Sequence, residues 1–110
     1  MISTSTDIYI GLMSGTSLDA IDVALVDLTN EKSPRLIHAE NLVIPDSLRF
    51  RIAQLCQPSD DEINRMGALD VELGELFAEA ALTVLKKTNI KTEQVRAIGS
   101  HGQTVRHHPY

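Results

Sequence analysis

Gly15, Thr16, Ser17 and Asp19 fall within SGTSLDAID, a short polar stretch between two apolar runs, and residues of these types can hold a phosphate. Glycine admits left-handed backbone and close approach, successive N–H groups point at an anion, and hydroxyls donate to its oxygens. Hydrogen bonds to a charged acceptor contribute about 1.5 to 3 kcal/mol each, so two or three hold a phosphoryl group without a lysine. The same composition also serves a plain polar hairpin whose Ser and Thr close their own turns. Neither GxxxxGK[ST] nor GxGxxG is matched, which argues against a P-loop or a Rossmann site. Asp19 is placed either to hold a magnesium-bound water or to cap the turn, and Asp22, three residues on, to fix backbone amides.

The second stretch is SHGQTVRHHP, in which His101 and Gln103 follow a predicted strand end, the usual place for ligand contacts in α/β sheets. His101 suits proton transfer near neutral pH, and equally suits holding its own loop by a hydrogen bond. His101, His107 and His108 lack the cysteine or clustered carboxylates that would complete a metal site. Cys56 reads as packing and His38 as a solvent-facing strand residue. Tyr9, Phe50, Phe77 and Tyr110 are too scattered to form a base-stacking platform.

The elements that must position these residues follow from periodicity. Ile8, Ile10 and Leu12 alternate with Tyr9 and Gly11, and Ile21, Val23 and Leu25 alternate with Asp22, Ala24 and Val26, so two strands flank a hairpin turn over residues 13–20. Residues 35–44 (RLIHAENLVI) form a third strand, ended by Pro45. Asp46 or Ser47 caps a short helix to about residue 57, with Leu48, Ile52 and Leu55 on one side. Ser59 and Glu62 have capping-box spacing for a second helix, whose apolar stripe is Ile63, Met66, Leu69, Leu73, Leu76, Phe77, Ala80 and Val84. Lys86 and Lys87 complement its dipole and Asn89 is a left-handed stop, giving about 27 residues and roughly 40 Å of helix against a sheet. A turn over residues 91–94 leads to a fourth strand at 95–100. The fold expected is α/β, with three leading strands, two helices and a fourth strand whose far side lacks an evident partner. The sequence stops just after HGQTVRHHP and reads as a fragment.

Composition narrows the classes of function. The chain has 110 residues, a formal net charge of −5 and no basic stripe, which excludes the electrostatic footprint of a nucleic-acid binder. It has no apolar run long enough to span a bilayer and no signal-like start, and its single cysteine agrees with a reducing compartment, so a cytoplasmic protein is expected.

GLMSGTSLDAIDVAL and AIGSHGQTVRHHP, with PDSLRFRIAQLCQ and GALDVELGELFAEA in order between them, resemble the N-terminal part of the anhydro-N-acetylmuramic acid kinase family over nearly the whole chain. That family belongs to the actin, hexokinase and heat-shock-chaperone ATPase superfamily. The resemblance implies that residues 1–110 form the N-terminal part of a first ribonuclease-H-like domain, the rest of that domain and a second domain lying beyond. It implies a bacterial, cytoplasmic enzyme of peptidoglycan recycling. The reaction it implies uses ATP and Mg2+: water opens the anhydro bridge of 1,6-anhydro-N-acetylmuramic acid and the freed O6 takes the γ-phosphoryl group, giving N-acetylmuramic acid 6-phosphate. The partner implied is a small amino sugar, with no nucleic acid or membrane, and the full-length enzyme is a homodimer.

Carried over position by position, the phosphate contacts fall on Gly15, Thr16, Ser17, Leu18, Asp19, Ala20, Ile21 and Asp22, and the sugar contacts on Ser14, His101, Gly102, Gln103 and Thr104. The family's usual residue after the first aspartate is glycine; Ala20 stands there and disfavours a positive φ, which bears on the geometry of the loop. The catalytic base matches no residue before Tyr110, so the segment alone is expected to be inactive. A related sugar or carboxylate kinase is the rival of the same class, and a non-catalytic nucleotide-binding or assembly module the rival of another.

Overall fold

The two-residue apolar period folds as a four-stranded mixed sheet in the computed structural model, which describes residues 7–15, 18–30 and 32–107. Strand β1 (Ile8–Ser14) pairs antiparallel with β2 (Ala20–Asp27), which pairs antiparallel with β3 (Arg35–Val43). Helices α1 (Asp46–Leu55) and α2 (Glu62–Thr88) and a single 3-10 turn (Thr92–Gln94) carry the chain across to β4 (Val95–Gln103), parallel to β1. The order is β3-β2-β1-β4, so β1 is central and ends where the polar hairpin begins.

Alternation sends Ile8, Ile10 and Leu12 of β1 and Ile21, Val23 and Leu25 of β2 to one face, where they meet Leu48, Ile52 and Leu55 of α1 and Leu69, Phe77, Ala80, Ala81, Val84 and Leu85 of α2. Fully burying an aliphatic or aromatic side chain of this size contributes about 1.5 to 3 kcal/mol, so this layer dominates stability. Only the C-terminal part of α2 is fully engaged. Ile63 and Met66, expected in its buried stripe, are 82% and 52% exposed, and the first α2 residue to enter the core is Leu69. The radius of gyration is accordingly 16.4 Å, against roughly 13 Å for a compact domain of this length.

The helix ends differ from the expected caps. Pro45 precedes α1 and no side chain caps that helix, although Asp46 or Ser47 has a suitable type. The Ser59–Glu62 capping box does not form. The residue before α2 is Asp61, in left-handed conformation (φ 55°), while the Ser59 hydroxyl accepts from Arg65 at 2.8 Å and the Asp61 carboxylate from Asn64 at 2.8 Å. At the other end Asn89 does supply the left-handed stop (φ 59°). His38, expected to face solvent, is half-buried with a ring nitrogen 2.9 Å from Glu40. Cys56 packs at the end of α1 with its thiol 3.6 Å from the Ile52 carbonyl, in keeping with a packing role.

Candidate functional site

The antiparallel hairpin closes more tightly than the composition suggests, since β1 continues through Ser14 and β2 starts at Ala20. The Leu18 N–H donates to the Gly15 carbonyl at 3.1 Å and Leu18 takes φ 60°. Among the described residues of this loop the left-handed position is Leu18, a non-glycine residue in a conformation that costs about 1 to 3 kcal/mol and that recurs at functional sites. Ala20 pairs with Val43 as an ordinary strand residue, so its methyl group does not obstruct the turn. Thr16, Ser17, His108 and Tyr110 lie outside the described residues.

Behind the turn, a cavity of about 370 Å³ is lined by Gly15, Asp19, Ala20, Asp22, Asn41, Val43 and Arg49. The Asp19 carbonyl accepts from the Ile44 N–H at 3.0 Å, which holds the loop against the chain entering α1. Asp22 does not fix backbone amides; it faces Asn41 across the β2–β3 pair and accepts from its side-chain amide at 3.0 Å. Ile21 is fully buried, so its side chain supports the loop from the core and takes no part in the cavity.

Asp22 and Asn41 also line a second depression, about 570 Å³, on the sheet face away from the helices, with Gly11, Met13, Ala24, Ala39, Glu40, Gly99 and His101. Its floor is low because Gly99, Gly11, Ala24 and Ala39 stand in register across all four strands.

The second motif is strand rather than loop as far as Gln103. Leu12 faces Ser100 and Ser14 faces Gln103, so β4 holds one more residue than β1 over that interval, a bulge at which Gly102 takes φ 75°. The bulge separates the expected sugar-contact residues. His101 lines the outer depression, whereas Gly102 and Gln103 line a cavity of about 260 Å³ toward α1 and α2, together with Ser100, Leu69, Leu73 and Phe77. On that inner side Ser14, 2% exposed, donates its hydroxyl hydrogen to the Gln103 side-chain carbonyl, and the Gln103 amide donates to the Thr104 carbonyl at 2.9 Å. Thr104 itself is exposed just past the strand.

Three further residues, none among the expected site residues, shape the site. Asn41 and Arg49 line the hairpin cavity from β3 and α1. Arg106 ties the segment after β4 to the corner between the helices, donating to the Leu55 and Gln57 carbonyls at 3.0 Å each and pairing with Glu62. A basic residue after HGQT was the available signal for Arg106; nothing local marks the other two.

Magnesium keeps several waters and is bound through one or two carboxylates together with substrate phosphates. Asp19 and Asp22 at one cavity fit that mode, and among the described residues no group of three or more His, Cys, Asp or Glu forms an all-protein cage. No described helix is long and apolar enough to cross a membrane.

A mixed sheet ordered β3-β2-β1-β4, with a polar hairpin at the end of β1 and a helical crossover into parallel β4, is the N-terminal part of an actin-like ATPase fold. The family model for anhydro-N-acetylmuramic acid kinase matches residues 7–110, and the chain belongs to that family. It is 54% identical over 101 residues to the anhydro-N-acetylmuramic acid kinase of Shewanella denitrificans, covering 92% of this chain and 27% of that protein. It is 50% identical over 105 residues to that of Shewanella amazonensis, covering 96% and 28%. The chain thus spans little more than a quarter of the length of these curated relatives.

Proposed function

We propose that this chain is the N-terminal part of the first ribonuclease-H-like domain of a kinase that hydrolyses the anhydro bond of 1,6-anhydro-N-acetylmuramic acid and phosphorylates O6. The product is N-acetylmuramic acid 6-phosphate, and the setting is peptidoglycan recycling in the bacterial cytoplasm by a homodimeric full-length enzyme. The observation that carries the reading is one β-hairpin in a chain of this family. Its tip closes a polar cavity bearing Gly15, Asp19 and Asp22, and its first strand is bonded to the second motif through Ser14 and Gln103.

Bound ATP supplies the phosphoryl group and Mg2+ shares its charge. The role of this segment is placement. Gly15 and the following Thr16 and Ser17 offer amides and hydroxyls to phosphate oxygens, Leu18 fixes the reversal, and Asp19 and Asp22 accept hydrogen bonds from metal-bound water or sugar hydroxyls. Gln103, held by Ser14 and with Gly102 and Thr104 beside it, orients the sugar from the helix side of the β1–β4 seam, and His101 meets ligand only from the outer face. The base that activates water lies beyond Tyr110, so the segment works only with the remainder of the enzyme.

The test is a chimera in which residues 7–110 replace the matching segment of the Shewanella denitrificans kinase. It should release ADP and form the sugar 6-phosphate, identified by mass spectrometry. Asp19→Asn and Thr16→Ala should lower kcat on the order of a hundredfold, as misplacement of reacting groups does, with a smaller change in sugar KM. A folded chimera that phosphorylates a different sugar rejects the substrate and keeps the kinase; one that binds ATP but phosphorylates nothing rejects the enzymatic reading.

A further inference from the structure

The loop over residues 15–22 contains two aspartates and no lysine or arginine, yet it is assigned an anionic ligand. Arg49 is the cation lining the cavity behind it, together with Gly15, Asp19, Asp22 and Asn41. Its place is fixed by packing. Leu48 and Ile52, on either side of it in sequence, are buried in the core, and the Ile44 N–H bonded to the Asp19 carbonyl draws the start of α1 against the hairpin. An ion pair with Asp46 does not consume its charge. That carboxylate is 97% exposed and 4.0 Å away, the kind of contact that contributes little.

We infer that Arg49 is a ligand-binding residue of the hairpin cavity, where its guanidinium takes two oxygens of an anionic group of the ligand. The inference rests on the kinase reading above and deepens it. A planar fork of N–H donors matches a carboxylate or phosphate through two parallel hydrogen bonds, which a lysine at the same place cannot reproduce. Asp22 is already paired with the Asn41 amide, which lowers its competition for the guanidinium. Two groups of the proposed substrates carry this chemistry: the terminal phosphates of the nucleotide and the lactyl carboxylate of the muramic acid.

The experiment uses the chimera with Arg49→Met and Arg49→Lys, its thermal unfolding midpoint, and KM and kcat for ATP and for two sugars, one with the lactyl group and its counterpart with a free hydroxyl there. Loss of a charge-assisted bidentate contact should raise one KM about tenfold or more in Arg49→Met, with partial recovery in Arg49→Lys and an unchanged unfolding midpoint. A rise in ATP KM with both sugars assigns the guanidinium to phosphate. A rise in sugar KM that vanishes when the sugar lacks the carboxylate assigns it to the lactyl group. Unchanged KM values for ATP and sugar, or a loss tracking only a fall in unfolding midpoint, overturn the inference. If the parent chimera makes no phosphorylated sugar, the kinase reading fails, and ATP affinity by calorimetry in the parent and Arg49→Met proteins still decides the role of Arg49 toward phosphate.

Discussion

The Ser14 hydroxyl donates to the side-chain carbonyl of Gln103, joining the end of β1 to the end of β4 across 89 positions of sequence. Ser14 is the single buried polar residue of the described sheet core, and its partner belongs to the motif expected to meet the sugar. The bond therefore fixes the second motif relative to the hairpin tip.

Ser14→Ala should leave a partly buried carbonyl without its donor, costing about 1 to 3 kcal/mol of stability. Because Gln103 then turns more freely, sugar KM should rise more than ATP KM. Thermal unfolding and steady-state kinetics of the chimera check both; equal shifts in the two KM values would show that the bond serves folding alone.

Glu40 links two layers: its carboxylate meets the His38 ring on β3 and the Lys87 ammonium at the end of α2. The bond to His38 and then that to Lys87 hold its pKa below the ordinary glutamate value of 4.5. A depressed folded pKa means that the contribution is fully present above about pH 4.5 and is lost as pH falls through the lower folded value. Glu40→Gln should therefore lower the unfolding midpoint at pH 7, with the gap to wild type closing in acid. Since both partners are partly exposed, added salt should narrow the gap at pH 7. A gap independent of pH from 3 to 7 would mean that packing, not charge, is responsible.

Ala20 separates what was legible in the sequence from what was not. The two-residue period of β1 and β2 is local, since it follows from which face is buried, and it correctly gives the hairpin and its antiparallel pairing, while the run at residues 35–44 before Pro45 gives the third strand. Asn89 is legible for the same reason, as its own backbone preference ends α2. The strain in the loop is not, because Leu18 takes the left-handed position among its described residues, and no residue type announces that choice. Ser59 and Glu62 have the right spacing for a cap, but the long Arg65 side chain takes the Ser59 hydroxyl, a competition that spacing cannot express. β4 looks finished at Ser100 because small and polar residues follow, whereas pairing with β1 carries it through a bulge to Gln103. Arg49 and Asn41 enter the hairpin cavity only through tertiary packing.

Ala20→Gly follows from that geometry. The position is an extended strand residue opposite Val43, so glycine relieves nothing there and adds unfolded-state freedom. Stability should fall by roughly 0.5 to 1 kcal/mol, and the ATP KM of the chimera should stay within about twofold. A marked gain in ATP affinity would show instead that the loop adopts a positive φ at Ala20 when ligand binds.

Residues 1–110 expressed alone should be only marginally stable and bind ATP weakly. Ile98 on β4, Met13 on the outer sheet face, and Ile63, Met66, Val71 and Leu82 on α2 all expose large apolar side chains, and α2 makes its main sheet contacts with β1, β2 and β3. Unburied side chains of this size withhold about 1.5 to 3 kcal/mol each, while the backbone ordering cost of the long helix remains. Large apolar side chains exposed on both layers also favour self-association. The isolated chain should thus show a broad, concentration-dependent melt by circular dichroism and should bind a hydrophobic dye. Joining it to the remaining three quarters of the Shewanella denitrificans relative should sharpen the transition and abolish dye binding. A sharp, concentration-independent melt of the isolated chain, raised further by millimolar ATP, would instead identify these residues as a self-sufficient nucleotide-binding module.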